Sequence, residues 1–168
     1  MWRGGLAGSG EARTPTAFNL AMAKYEIRTE IEIAASAATV WEILLDFRRH
    51  PEWNPFVRRI EGEAKVGERL TVMVKPANGN GMTFRPVVRV VAPEREFRWL
   101  GRFLVRGLFD GEHYFQIEPI GKDRVRLIHG EHFSGLLVGL AQSGLESGTK
   151  AGFVAMNEAL RARAEQRA

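Results

Sequence analysis

Gly111-Glu112-His113-Tyr114-Phe115-Gln116-Ile117-Glu118 and Arg124-Val125-Arg126-Leu127-Ile128-His129-Gly130-Glu131-His132-Phe133 read as two strands of one hairpin. Phe115 and Ile117 alternate in the first run, and Val125, Leu127 and Phe133 in the second. Period two marks a strand with one buried face. The apolar members fix which face turns inward, because a slip of one residue would turn them all to water. Gly111 and His113 then share the inner face of the first strand, and His129 and Glu131 that of the second. A three-residue loop around Gly121, with glycine in a permissive conformation, matches the two faces. It sets Phe115 opposite Leu127, His113 opposite His129 and Glu131 opposite Gly111, where the missing side chain leaves room. Directly opposed Cβ atoms lie about 4.5–5.5 Å apart. Two imidazoles and a carboxylate thus converge on an otherwise apolar surface.

Upstream of the hairpin, further strands are expected at residues 56–65, 68–75, 82–91 and 96–103, with the hairpin itself at 109–118 and 124–133. Val66-Gly67, Asn78-Gly79-Asn80-Gly81, Ala92-Pro93 and Gly107 supply the turns. Pro86 inside its run implies an edge strand or a bulge. Earlier still, Tyr25, Ile27, Thr29, Ile31 and Ile33 alternate with Glu26, Arg28, Glu30 and Glu32, which predicts another half-buried strand. Ser36 caps a helix through Val40, Trp41, Ile43, Leu44 and Leu45, and His50-Pro51-Glu52-Trp53-Asn54-Pro55 breaks the chain after it. Downstream, Leu145, Thr149, Phe153, Met156 and Leu160 recur at spacings of three and four, so the end is a long helix. Gly135, Gly139 and Gly144 set a short helical piece near residues 136–140 apart from it. The order strand, helices, six strands, long helix predicts an α+β domain, one antiparallel sheet with helices on one face.

The chain has 168 residues, 45% hydrophobic and 26% charged, enough for one domain with a sizeable core. It has no cysteine, which excludes a disulfide scaffold, a thiolate nucleophile and sulfur-ligated zinc. No apolar run approaches bilayer length, so no stable membrane insertion is expected. The net charge of +4 comes from 24 basic and 20 acidic residues that are scattered in alternation, as in Glu94-Arg95-Glu96, with no run of about five or six like charges. That pattern is a solvated surface and no nucleic-acid footprint. Residues 1–23 hold four glycines and Pro15 with little periodicity. They are expected to form a disordered tail, or an over-long start ahead of a natural first residue at Met22. The folded domain is expected at 24–168, as a cytoplasmic monomer or homodimer.

The order β-α-α-β6-α resembles the helix-grip fold of the START, Bet v 1 and polyketide-cyclase-like superfamily, often called SRPBCC. Three stretches carry the likeness: Ile31-Glu32-Ile33-Ala34-Ala35-Ser36 running into Val40-Trp41, Pro51-Glu52-Trp53-Asn54-Pro55-Phe56, and Gly111-Glu112-His113 with His129-Gly130-Glu131 and Phe133-Ser134-Gly135-Leu136. The last two point to the bacterial cyclase/dehydrase-like branch. The resemblance implies a curved sheet of about seven strands gripping the long C-terminal helix, with an apolar cavity between them. Members bind lipids, sterols, polyketides, quinones or hormones, and include enzymes, carriers and co-chaperones, so fold alone does not fix activity.

The expected ligand-binding set is Trp53, Phe84, Phe97, Trp99, His113, Phe115, Leu127, His129, Glu131, Thr149, Phe153 and Met156. His113, His129 and Glu131 are the candidates for acid-base chemistry, since a buried carboxylate near a histidine is tuned towards neutral pH. The same trio reads equally as a satisfied polar cluster that only fixes the sheet. Two ligands on one strand and one on its neighbour make a poor metal site, so neither metal nor cofactor is expected. Arg85, Arg89, Arg98 and Arg102 alternate with apolar neighbours and are expected to face solvent. The first expectation is a binding module for a small hydrophobic molecule. The second is a cyclase- or dehydratase-type enzyme. The third is a co-chaperone-like domain, which would need a filled interior and an exposed apolar patch.

Overall fold

The computed structural model describes residues 23–76, 79–103 and 106–168. Residues 1–22 of the expected tail, Met22 among them, and Asn78 lie outside the described residues; Ala23, expected to end the tail, already pairs with Gly135 as the first residue of a strand. The chain begins with β1 (Ala23–Ile33), then α1 (Ala37–Leu45), a 3₁₀ turn (Phe47–Arg49) and the short α2 (His50–Trp53). Seven strands follow: β2 (Val57–Glu61), β3 (Thr71–Val74), β4 (Met82–Phe84), β5 (Val87–Ala92), β6 (Glu96–Phe103), β7 (Phe109–Gly121) and β8 (Arg124–Gly135). The chain closes with α3 (Val138–Gly144), a π-helical turn (Leu145–Thr149) and α4 (Lys150–Glu165).

All strand pairs are antiparallel, in the order β1-β8-β7-β6-β5 and β2-β3-β4. Residues 67–70 join the two groups: Leu70 N–H donates to the Pro86 carbonyl at 2.9 Å and Val88 N–H to the Glu68 carbonyl at 2.9 Å. The strand count is eight rather than about seven because the expected 82–91 run divides at Arg85-Pro86. Proline has no N–H to give to a ladder, and here only its carbonyl takes part.

Local signals explain the helices. Ser36 Oγ accepts from Thr39 N–H at 3.1 Å and caps α1. The break after α1 is a knot built on His50, which is buried. His50 Nε2–H donates to the Leu44 carbonyl at 2.8 Å, and Nδ1 meets Asn54 Nδ2 at 3.2 Å. Asn54 Oδ1 then accepts from the backbone N–H groups of Phe56 and Val57. The His-Pro-Glu-Trp-Asn-Pro stretch thus hydrogen-bonds its own backbone while handing the chain from α1 to β2.

Phe153, Met156, Leu160 and Ala164 of α4 are fully buried against the concave side of the sheet. Each of the three larger side chains contributes about 1.5–3 kcal/mol by leaving water. The helix comes so close to Phe56, the residue just ahead of β2, that a Cβ at Gly152 would run into its ring. The expected inward positions Phe153 and Met156 are placed there; the Leu145 side chain lies outside the described residues. The sheet curved around one long helix is the α+β helix-grip arrangement.

The hairpin register differs from expectation by one pleat. Phe115 pairs with His129, His113 with Glu131 and Ile117 with Leu127. The tip is the two residues Lys122-Asp123, with a bulge at Ile120, in place of a three-residue loop. Both arrangements keep the same residues facing inward, so the error moved pairs along the strand without turning any side chain over.

Candidate functional site

Trp99 on β6, His113 on β7 and Glu131 on β8 are cross-strand neighbours: Trp99 pairs with His113, and His113 with Glu131. The pleat turns all three to the concave face. His113 Nε2 faces His129 Nε2 at 2.9 Å, and His113 Nδ1 lies 3.5 Å from Glu131 Oε2. His129 Nδ1 meets Asn157 Oδ1 of α4 at 2.8 Å. Asn157 Nδ2–H donates to Thr29 Oγ1 at 3.0 Å, and Thr29 Oγ1–H donates to the His129 carbonyl at 2.9 Å. Thr29 stands directly opposite His129 across the β1–β8 ladder, which makes that last bond local.

Aromatic rings enclose the imidazoles. His113 stacks on Trp99 with centroids 4.6 Å apart, and His129 stacks on Phe153 at 4.0 Å with Phe115 at 4.4 Å. Burial pushes the His113 imidazole down to about 3. His129 is held well below its ordinary value by burial and then by the neighbouring His113. Burial pushes the Glu131 carboxyl up to about 8. All three groups are therefore neutral near pH 7, since desolvation penalises each charged form. Gly111 makes space for the acid: a Cβ there would collide with Glu131 Oε1.

A cavity of about 520 Å³ opens beside this cluster. Phe56, Val74, Met82 and Phe84 wall one side, Trp99, Gly101, Phe109, Gly111, His113, Glu131 and Phe133 the other. Leu137, Leu140, Thr149 and Arg102 complete it. Leu140 and Met82 are exposed, at 84% and 54%. Together with Arg102, also exposed, they mark the mouth.

Of the twelve residues expected to bind a ligand, Phe84, Trp99, His113, Glu131 and Thr149 border this cavity. Phe97, Phe115, Leu127, His129, Phe153 and Met156 lie in the packed core. They face the right way but sit where the helix rests on the sheet, so no space remains beside them. Trp53 packs against the core and on the His50 ring at 4.9 Å, away from the cavity. Arg85 and Arg89 are exposed as expected. Arg98 instead lies along the outer face, bonded to Glu96 and Glu112 and over the Tyr114 ring. Sequence reasoning missed Asn157 and Thr29. Asn157 is buried on a helix whose apolar stripe already included Met156 and Leu160, so an inward polar residue there was the available signal. Among the described residues no cluster of metal-ligating side chains occurs.

The family described as polyketide cyclase / dehydrase and lipid transport matches residues 24–165. The chain belongs to that family. Solved structures of the polyketide cyclase/dehydrase and START-like group share its fold. The ZhuI aromatase/cyclase from Streptomyces sp. R1128 superposes with a TM-score of 0.68 at 19% identity, covering 86% of this chain and 96% of that one. A norcoclaurine synthase point mutant from Thalictrum flavum, in complex with a transition-state analogue, gives 0.67 at 18% identity, covering 88% and 98%. A START superfamily protein from Mycobacterium smegmatis gives 0.62 at 23%, covering 85% and 99%. Sequence comparison with curated proteins finds no match. Among the described residues no helix is long and apolar enough to cross a membrane.

Proposed function

We propose that the protein binds a small hydrophobic, ring-bearing molecule of lipid, polyketide or aromatic type in the cavity between its sheet and its C-terminal helical segment, and does so in the cytoplasm. One observation carries this reading. The cavity is walled by Phe56, Phe84, Trp99, Phe109 and Phe133, and its inner polar groups are His113 and Glu131. Aromatic walls with few convergent polar groups are what a small-molecule site requires. Family membership and the aromatase/cyclase and norcoclaurine synthase folds support the same ligand chemistry. An interior with open space does not suit the co-chaperone-like reading, which called for a filled one.

A second reading, a cyclase- or dehydratase-type enzyme, is favoured by Glu131. A carboxyl pushed up to about 8 beside a cavity keeps its proton at neutral pH. Such a group is a ready general acid.

Native mass spectrometry of gently purified protein tests the first reading, together with titration of apolar fluorescent probes. A retained small molecule, or saturable probe binding that Trp99→Ala weakens, is the expected result. A protein that retains nothing and binds no aromatic probe sinks it. Turnover lost in Glu131→Gln with binding kept would mark the enzyme.

A further inference from the structure

Resting on the ligand-binding reading above, we propose that the cavity selects a neutral aromatic ligand by a hydroxyl group that donates to Glu131 Oε1, and that Thr29 and Asn157, outside the cavity, set this preference by fixing the direction of the histidine hydrogen bonds.

The direction follows from the far end of the chain of contacts. The Thr29 hydroxyl has one hydrogen, and it goes to the His129 carbonyl at 2.9 Å. Its oxygen therefore accepts from Asn157 Nδ2–H at 3.0 Å. That turns Asn157 Oδ1 to His129 Nδ1 at 2.8 Å. An amide oxygen only accepts, so Nδ1 of His129 carries the hydrogen. The opposite amide orientation would draw the Thr29 hydrogen to Asn157 and take it from the His129 carbonyl. A neutral imidazole has one N–H, so Nε2 of His129 is bare. His113 Nε2, 2.9 Å away, must then be the donor, which leaves His113 Nδ1 bare. This bare nitrogen faces Glu131 Oε2. A carboxylate there would set lone pair against lone pair, whereas the protonated acid places its hydrogen on Oε2. The burial-raised carboxyl is in the protonated state this requires.

Glu131 Oε1 is left as an acceptor over Gly111, which itself borders the cavity. What Glu131 offers a ligand is thus a lone pair with no hydrogen. A phenol or enol satisfies it. A ketone or ether sets oxygen against oxygen. Buried groups left unpaired by the wrong ligand are the main source of such discrimination. The network also ends at an amide and a backbone carbonyl, neither of which takes up a proton, so it orients Glu131 and does not drain its charge.

The test compares 2-naphthol with 2-methoxynaphthalene, which keeps the ring and the oxygen but has no hydrogen to donate. Wild type should bind the naphthol at least about tenfold more tightly, corresponding to about 1.4 kcal/mol. Thr29→Val frees the Asn157 amide to turn and should shrink that preference several-fold; Thr29→Ser should restore it. Nitrogen-15 spectra of the wild-type histidine side chains give a readout that needs no variant. His129 should appear as the Nδ1–H tautomer and His113 as the Nε2–H tautomer. Equal binding of the two probes, tighter binding of the ether, or the opposite tautomers overturns the inference and leaves the binding reading standing. Failure of both probes to bind overturns the inference, and overturns the binding reading too if the purified protein also retains no small molecule.

Discussion

His113 Nε2 and His129 Nε2 face each other at 2.9 Å, although the two residues stand diagonally across the β7–β8 ladder. Their directly opposed partners are Glu131 and Phe115. Diagonal neighbours reach one another when the side chains are long and planar. The contact makes each imidazole the partner that satisfies the other in a buried, aromatic surround.

His129→Phe should therefore destabilise despite filling the same stack. It leaves His113 Nε2–H and Asn157 Oδ1 without partners, at about 1–3 kcal/mol for each buried group. Removing both histidines together, His113→Phe with His129→Phe, should cost less than the sum of the single changes, because the two orphans that each imidazole leaves on the other disappear. Chemical denaturation of the two single variants and the double variant measures this. Strict additivity would show that the imidazoles do not depend on each other.

Above pH 6.5 the stability of the wild type should fall as pH rises, through Glu131. Its carboxyl is raised from 4.5 to about 8 on folding. The unfolded chain gives up that proton first, so stabilisation present below 4.5 is lost up to about 8. The histidines act in the opposite sense at lower pH. Their folded values are depressed, so stability falls as pH drops from 6.5 towards about 3 for His113. Between 4.5 and 6.5 the two effects oppose. Calorimetry at pH 6.5 and pH 8 isolates the acid: Glu131→Gln should lose less stability than wild type over that interval. Parallel losses would mean that Glu131 is already ionised at neutral pH.

Gly111→Ala should disturb the site more than the fold. The added Cβ meets the end of the Glu131 side chain, a flexible group, where backbone would resist. The carboxyl must swing away from its place over Gly111. A melting temperature within a few degrees of wild type, with probe affinity clearly changed, is the expected pair of results. A large loss of stability with unchanged binding would contradict this placement of the acid.

Phe153→Ala should cost about 3–5 kcal/mol. The ring is fully buried, stacked on His129 and edge-on to Phe56 at 5.5 Å. Gly152→Ala, one residue earlier, should destabilise by overpacking, typically about 1–3 kcal/mol, because the Phe56 ring stands where the methyl would go. Urea titration of both variants checks the pair. A neutral Gly152→Ala would show that the Phe56 ring can move off the helix.

What the sequence determined by itself was local. Alternation in residues 25–33 and in the hairpin named the strands and their inward faces, because period two depends only on the chain's own pleat. The three- and four-residue spacing of Phe153, Met156 and Leu160 named the helix face for the same reason. The register of the hairpin was not local. A three-residue loop and a two-residue tip with a bulge at Ile120 preserve the same inward faces, so no pattern in the sequence separates them. Only the tertiary structure decided that Phe84 and Trp99 border space while Phe97 and Phe153 are packed solid, since all four are inward aromatics. It also decided the network. Thr29 and Asn157 are 128 residues apart, and meet only because α4 lies along β1. Their hydrogen bonds, and through them the orientation of Glu131, are properties of that packing and of no single stretch of chain.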